Sequence, residues 1–397
     1  MRVAIIFAGA YPTGDVTTDR VHNMCLGLVE SGVDVEVLLA NPTEKPGGTR
    51  NLLPAGEYEG VKFEYVGGST TRSERFWVRR LQDLYCHVRT ILVASLGRRR
   101  YDITMVVGPS LDFRVILPFA GRVFGRRMVL EINEYPFVKS KPAVLGAIKR
   151  QLLFRLVFPL YSGFVPISRN LSEVVDGHKS QAASTITIPI LAGKVSPSAD
   201  PSSLFEWPYI VHAGSLDEEK DGVLGILDAF AIALRRVHTP LRLVITGKHE
   251  GTKQYHAVLQ AIKAQGLAER VVFVGYCSRE RLSRILENSL LAIVNKLDTV
   301  QNRYCFATKL ADYLLHGVPV ITTTVGESRH FLHDGRNAYI VEPGRPELLA
   351  QKVVEAINNP EERRRIGVAG RQLAETVFSY RVQGLRLARF LSGAKDS

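Results

Sequence analysis

The sequence predicts an α/β protein made of two doubly wound parallel-sheet domains facing a cleft. Three observations predict it. Short, uninterrupted apolar runs recur along the 397 residues, as strands buried on both faces of a parallel sheet do. Stretches of helical period separate them. The alternation lapses over residues 193–206, where Gly, Ser, Pro and Asp replace it, and then restarts. The expected division is therefore residues 1–192, a linker at 193–206, and residues 207–378. A terminal helix within 379–397 is expected to pack back on the first domain.

In order, residues 3–7 (VAIIF) read as a first buried strand, 9–19 as a polar loop and 20–30 as a helix. Residues 33–39 (VDVEVLL) follow as a strand, completing a βαβ unit with a right-handed crossover. Further strands are expected at 61–66, 103–107, 128–131, 163–167 and 185–190, with helical stretches at 72–98 and 112–124. In the second half the expected strands are 209–212, 241–246, 271–274, 291–294, 319–322 and 339–341. Helices are expected at 221–237, 253–265, 278–288, 308–316 and 346–358, and a last one at 379–393. Ligands of such sheets bind at the carboxyl ends of the strands, where strand order reverses.

Hydrophobic residues make up 46 % and charged residues 23 %, which excludes a disordered chain. The formal net charge of +12 invites an anionic partner: nucleic acid, a phosphorylated small molecule, or an anionic membrane surface. Nucleic acid is disfavoured, because no recognition helix or RNA motif is present. Cys25, Cys86, Cys277 and Cys305 form no CxxC pair, so neither a zinc site nor a disulfide framework is expected, and a reducing cytoplasm is. The first apolar run is too short for a signal peptide, and no apolar stretch reaches ~18 residues without a charge.

Two segments carry candidate chemistry. In residues 304–321 (YCFATKLADYLLHGVPVI), Thr308 is expected to cap a short helix whose free N–H groups, with Cys305, Phe306 and Ala307 leading in, would attract phosphate. Lys309 and Asp312 stand three apart on one face, a cation for a diphosphate and a carboxylate for ribose hydroxyls. The alternative is a surface Lys–Asp pair. In residues 212–222 (HAGSLDEEKDG), Ala213, Gly214 and Ser215 permit close backbone approach and Lys220 offers a point charge. The alternative is an ordinary turn with solvated charges. His22, His212 and His316 are expected to be satisfied structural histidines.

Taken in order, VHAGSLDEEKDG, LVITGK, VVFVG, FATKLADYLLHGVPVITTTVGE and DGRNAYIVEPG resemble the retaining glycosyltransferases of family 4. In the first half, LVESGVDVEVL, LEINEYPF and VPISRNL are similar to segments of the same family. The resemblance implies a GT-B enzyme of two Rossmann-like domains. It would move a sugar from a nucleotide diphosphate sugar to an acceptor hydroxyl with retention, in surface polysaccharide or glycolipid assembly. The nucleotide would lie on the second domain and a saccharide or lipid-linked acceptor on the first. No metal and no cofactor are implied beyond the nucleotide sugar as co-substrate.

Carried over by position, the resemblance puts Lys220 and Lys309 on the departing diphosphate. Gly214, Ser215, Gly247, Lys248, Phe306, Ala307, Thr308 and Asp312 would hold the donor, with Tyr304 where the family has a first glutamate. Ser215 stands where the family often has Arg, and Thr246, Gly247 and Lys248 match its glycine-ended strand. The acceptor side would comprise Gly9, Thr17, Thr18, Arg20 and Asn133, with Glu134, or else Glu131, orienting or deprotonating the acceptor hydroxyl. Two other readings stay open, a non-catalytic sugar-nucleotide binder or scaffold and a sugar-nucleotide epimerase of the same fold.

Two basic stretches remain. Arg72, Arg75, Arg79, Arg80, Arg89, Arg98, Arg99 and Arg100 are interleaved with Phe76, Trp77, Leu81, Leu84 and Tyr85. Lys139, Lys141, Lys149, Arg150 and Arg155 mix with Leu145, Ile148, Leu152, Leu153 and Phe154. Residues 72–100 and 139–155 are thus candidates for binding an anionic membrane, which predicts a cytoplasmic protein peripheral on the inner membrane face. The alternative is a pair of core helices with solvated basic faces.

Overall fold

The computed structural model describes the chain except residues 49, 97–100, 109–110, 139–141, 195–201, 248–249 and 395–397. Lys248, Arg98, Arg99, Arg100, Lys139 and Lys141 therefore lie outside the described residues, as does half of the expected linker. The chain divides into two compact units, Met1–Leu191 with Ser379–Ser397, and Ala192–Phe378.

The first unit holds β1 (Arg2–Phe7), β2 (Asp34–Leu39), β3 (Ala55–Tyr58), β4 (Val61–Tyr65), β5 (Ile103–Val107), β6 (Arg127–Ile132), β7 (Gly163–Pro166) and β8 (Ser184–Thr185). Their order in the sheet is β3-β4-β2-β1-β5-β6-β7-β8, parallel throughout except for the β3–β4 hairpin. Register pairs Val3 with Val35 and with Ile103, so β1 is central, and its residues from Val3 to Phe7 are wholly buried. The helix Val16–Glu30 begins earlier than its apolar period implies, because the Asp15 carboxylate accepts from the Thr17 and Thr18 amides. The helix Tyr380–Ser392 packs along it. Gly27 and Gly384 meet there: a Cβ on Gly27 would stand 2.8 Å from the Gly384 Cα, so neither position has room for a side chain.

The second unit holds β9 (Tyr209–Ala213), β10 (Arg242–Thr246), β11 (Val271–Gly275), β12 (Leu291–Val294), β13 (Val320–Thr323) and β14 (Tyr339–Val341). All pairings are parallel, in the order β11-β10-β9-β12-β13-β14. Numbered along the unit this is 3-2-1-4-5-6, the doubly wound order whose switch point lies between the first and fourth strands, here β9 and β12. Its core joins Ile210, Leu243, Ile245 and Ile293 of the sheet to Val223, Ile226, Phe230, Leu349 and Val353 of the covering helices.

Three expectations fail locally. The strand expected at 185–190 pairs only through Ser184 and Thr185. Ile188, Ile190 and Leu191 are buried, but the strand pairing stops before them. The hairpin strand Ala55–Tyr58 was not expected, since all four of its residues are exposed. Nor was the helix Pro360–Thr376, which opens on a proline.

Candidate functional site

The carboxyl ends of β9 and β12 bring together residues far apart in sequence. After β9 the chain turns at Gly214, which has φ +135°, and runs through Ser215 into the short helix Glu218–Asp221. The Asp217 carboxylate caps that helix by accepting from the Lys220 amide at 3.1 Å. The helix stops at Gly222, whose left-handed φ of +55° is costly for other residues. After β12, Asn295 Nδ2 donates to the Gly222 carbonyl at 2.8 Å, tying the two loops together.

Asp221 is the centre of this site, and it is buried. Its Oδ1 accepts from Lys296 Nζ at 2.9 Å and from Lys309 Nζ at 3.0 Å. Its Oδ2 accepts from Ser215 Oγ at 2.9 Å. Lys296 Nζ also donates to the Lys220 carbonyl at 2.8 Å. The Lys309 amine rests against the Gly214 backbone, where a Cβ would stand 2.6 Å from it. Glycine is favoured at 214 by its φ, and a Cβ there would push the lysine tip aside.

One buried and one largely buried ammonium group share one carboxylate, so the cluster carries an excess positive charge. Burying charges costs several kcal/mol per ion unless they are compensated. The titration directions agree. Burial works against the Asp221 carboxylate, yet Lys309 and Lys296 hold its carboxyl far below the usual range. Burial, with Lys296 and Lys220 adding to it, brings Lys309 down to about 8 despite the pull of Asp221. His212 is wholly buried, and that burial, helped by Lys309, lowers it to about 4, so it is neutral near pH 7. Its ring nitrogens stand 3.1 Å from the Ile293 carbonyl and 3.5 Å from that of Ser215. What remains in the cluster is one positive charge in excess.

The sequence-predicted residues divide accordingly. Lys220, Lys309, Gly214 and Ser215 come together, and the Lys220 charge is felt at Lys309. Lys309 pairs with Asp221, not with Asp312. Ser215 spends its hydroxyl on Asp221. Thr308 makes no side-chain cap, and its own backbone is helical. The Phe306 ring is buried against Phe331 and Phe378, so that side chain is structural. Tyr304, Ala307 and Asp312 lie beside these residues on the same segment. Gly247 ends β10 with φ +133° and donates its amide to the Gly275 carbonyl at 2.8 Å.

In the first unit, Arg20 and Glu131 are corrected to an internal pair. Arg20 Nε donates to Glu131 Oε1 at 2.8 Å, and the rest of the guanidinium goes to the Pro189 and Ile188 carbonyls. Both side chains are buried, so neither reaches an acceptor. Thr18 is also buried, with its hydroxyl on the Ala10 carbonyl at 2.8 Å. A Cβ on Gly9 would strike the Phe7 ring. Thr17 and Asn133 are half-buried, and Glu134, just past β6, is exposed. His22 Nδ1 stands 2.8 Å from the Tyr11 hydroxyl and His316 Nδ1 2.7 Å from the Asp312 carbonyl. The expectation of a satisfied ring fails for His316, whose Nε2 is buried without a hydrogen-bond partner among the described residues. Among the described residues no group of three or more His, Cys, Asp or Glu is placed to hold a metal ion.

Sequence reasoning missed Asp221 and Lys296. The signal available was a Lys two residues past a buried apolar strand, where a solvated residue is ordinary.

Residues 207–359 match the family described as glycosyl transferases group 1. The N-acetyl-alpha-D-glucosaminyl L-malate synthase of Bacillus anthracis is 24 % identical over 163 residues, 41 % of this chain and 39 % of that protein's length. The fold is similar to the sucrose-phosphate synthase of Thermosynechococcus elongatus, with TM-score 0.72 and 14 % identity over 99 % of this chain and 98 % of that one. It is also similar to HepE of Anabaena, solved in complex with UDP-glucose, with TM-score 0.70 and 16 % identity over 99 % and 100 % of the two chains. The match to group 1 glycosyl transferases thus falls on the second unit, and the chain that carries it has the GT-B fold.

Proposed function

We propose that the protein is a retaining glycosyltransferase that takes a sugar from a nucleotide diphosphate sugar and passes it to an acceptor hydroxyl. The observation that carries this reading is the excess positive charge around Asp221 at the β9–β12 switch point, where a doubly wound sheet receives its ligand. A diphosphate balances that excess charge. As the bond to the sugar breaks, charge grows on the leaving phosphate oxygen. Lys309, held by Asp221, is a fixed cation that stabilises it there with the Lys220 charge nearby, and one such donor is worth ~3–4 kcal/mol of barrier. The UDP-glucose bound by the Anabaena protein supports a sugar nucleotide as donor. Glu134, exposed past β6, is the carboxylate assigned to the acceptor hydroxyl.

The test is incubation with UDP, GDP and ADP sugars and a panel of saccharide and lipid-linked acceptors, with products identified by mass and anomeric configuration. Transfer with retention, reduced in Lys220→Ala, is expected. Tight nucleotide binding with no turnover supports a non-catalytic binder instead, and an altered sugar nucleotide formed without acceptor supports an epimerase.

The acceptor is proposed to be lipid-linked, in surface polysaccharide or glycolipid assembly, because the first unit exposes apolar side chains among basic ones. The helices Phe76–Ile91, Leu111–Val123 and Ala143–Leu152 leave large apolar side chains uncovered. Trp77 is 78 % exposed, Phe119 63 % and Val144 70 %. Arg75, Arg79, Arg80, Arg89, Lys149, Arg150 and Arg155 accompany them. This pairing of apolar side chains with cations fits an anionic lipid interface. No helix among the described residues is long and apolar enough to cross a membrane, so attachment would be peripheral. Flotation with phosphatidylglycerol vesicles but not with phosphatidylcholine vesicles is expected, and Trp77→Glu should weaken it. Equal failure to float with both would end the proposal.

A further inference from the structure

We infer that Asp221 and Lys296 are positioning residues for Lys309: together they fix where its ammonium stands and leave its charge free for a bound diphosphate. The inference rests on the reading that a nucleoside diphosphate binds at the Gly214 turn. It concerns residues that neither the motifs nor the family pattern single out.

The geometry separates the roles. The Lys296 side chain is 6 % exposed, and its amine is committed to Asp221 and to the Lys220 carbonyl. It sits too deep to meet a ligand. The Lys309 side chain is 16 % exposed and opens on the turn beside Gly214. Asp221 joins them through one oxygen, Oδ1, at 2.9 and 3.0 Å.

This sharing has an electrostatic result. A lone Asp221–Lys309 pair would be neutral and would offer an anion little. Lys296 already compensates the Asp221 carboxylate, so the Lys309 charge is in surplus. The carboxylate remains as a tether that holds the Lys309 amine against Gly214 before any ligand arrives. Preorganised charge of this kind needs no rearrangement when a diphosphate binds.

Lys309 is surrounded by Asp221 and Lys220 on the short helix, His212 on β9, Lys296 past β12 and Tyr313 on its own helix. His212 stays neutral above pH 7 and Tyr313 is pushed well above its usual range by burial, so neither changes charge in the window of interest. Asp221 favours the Lys309 proton and Lys296 disfavours it. Removing one or the other must therefore move the titration of Lys309 in opposite directions. A merely structural role for either residue would not do that.

The experiment is calorimetric binding of UDP, GDP and ADP to the full chain from pH 7 to 10. Free nucleoside diphosphates lose their last phosphate proton near pH ~6, below this window; uracil and guanine lose a ring N–H proton towards its upper end, so the profile is read from ADP, whose base has none. In the unmodified protein affinity should fall above about pH 8, by at most about tenfold per pH unit for one linked proton. Lys296→Met should move that fall up by about one pH unit, and Asp221→Asn should move it down by about as much. Lys296→Arg keeps the charge and should restore the original profile, which separates loss of charge from loss of folding. Shifts in the same direction, or weaker binding at every pH with an unmoved profile, would overturn the inference. Binding without any alkaline fall would overturn it while leaving the diphosphate site standing. Failure to bind all three nucleotides would remove that site, and the inference with it.

Discussion

Each unit buries an ionic cluster, and the two clusters differ in charge balance. In the first unit Arg20 meets Glu131 one to one, and each of its two terminal nitrogens donates to a backbone carbonyl. In the second unit Lys296 and Lys309 share Asp221, with Lys220 alongside. The first cluster is balanced and joins the helix Val16–Glu30 to β6 and the 188–189 segment. The second is left positive, and one of its lysines remains within reach of solvent. Burial of charge therefore does not by itself mark a ligand site. Imbalance at a strand-order reversal is the more telling observation.

The comparison can be broken most forcefully at Arg20. Arg20→Met leaves the Glu131 carboxylate buried without its cation, and loss of one partner of a buried pair costs ~3–5 kcal/mol. Hydrogen exchange in β1 and in the helix Val16–Glu30 should accelerate accordingly, while nucleotide affinity in the second unit stays unchanged. Lys309→Ala is the complementary change. Removing a donor of transition-state charge lowers turnover by about 10²–10³, and measured consumption of the sugar nucleotide should show it. Stability should change far less, since Lys296 still compensates Asp221.

His212 sharpens the contrast through pH. Its folded value of about 4 lies below the unfolded value of 6.5, so the unfolded chain binds more protons between those limits. Stability should therefore fall as pH drops from 6.5 towards 4, by about 3 kcal/mol at most. Thermal unfolding scans across that range should show a steeper acid loss than in His212→Gln. The smallest effect belongs to a solvated pair. Arg371 and Glu375 are 2.8 Å apart, one helical turn from each other and half exposed. Arg371→Ala should change stability by less than about 1 kcal/mol, which gives a baseline for the buried clusters.

The sheets were legible in the sequence because buried parallel strands are written as apolar runs. Residues 103–107 and 291–294 coincide with β5 and β12 to the residue. The helix Pro360–Thr376 was not legible. Its sequence (PEERRRIGVAGRQLAET) buries Ile366 and Ala374 but otherwise turns small glycines inward, so no apolar stripe announces it. Residues 185–190 show the converse. They are apolar because they are buried, yet burial alone does not make a ladder. At the site, Lys220 and Lys309 were legible through charge beside a glycine turn and through family pattern. Asp221 and Lys296 are 75 positions apart and meet only because β9 and β12 are neighbours in the sheet. No local spacing encodes that adjacency.

The glycine contact between the helices Val16–Glu30 and Tyr380–Ser392 bears on how the chain is made. Gly27 precedes the second unit in the chain and Gly384 follows it, so the whole second unit is synthesised between them. The unit that begins first can be completed only last, after its neighbour has emerged from the ribosome. Until then the flank of its first helix stays open, so this nascent intermediate would be a natural client for a chaperone.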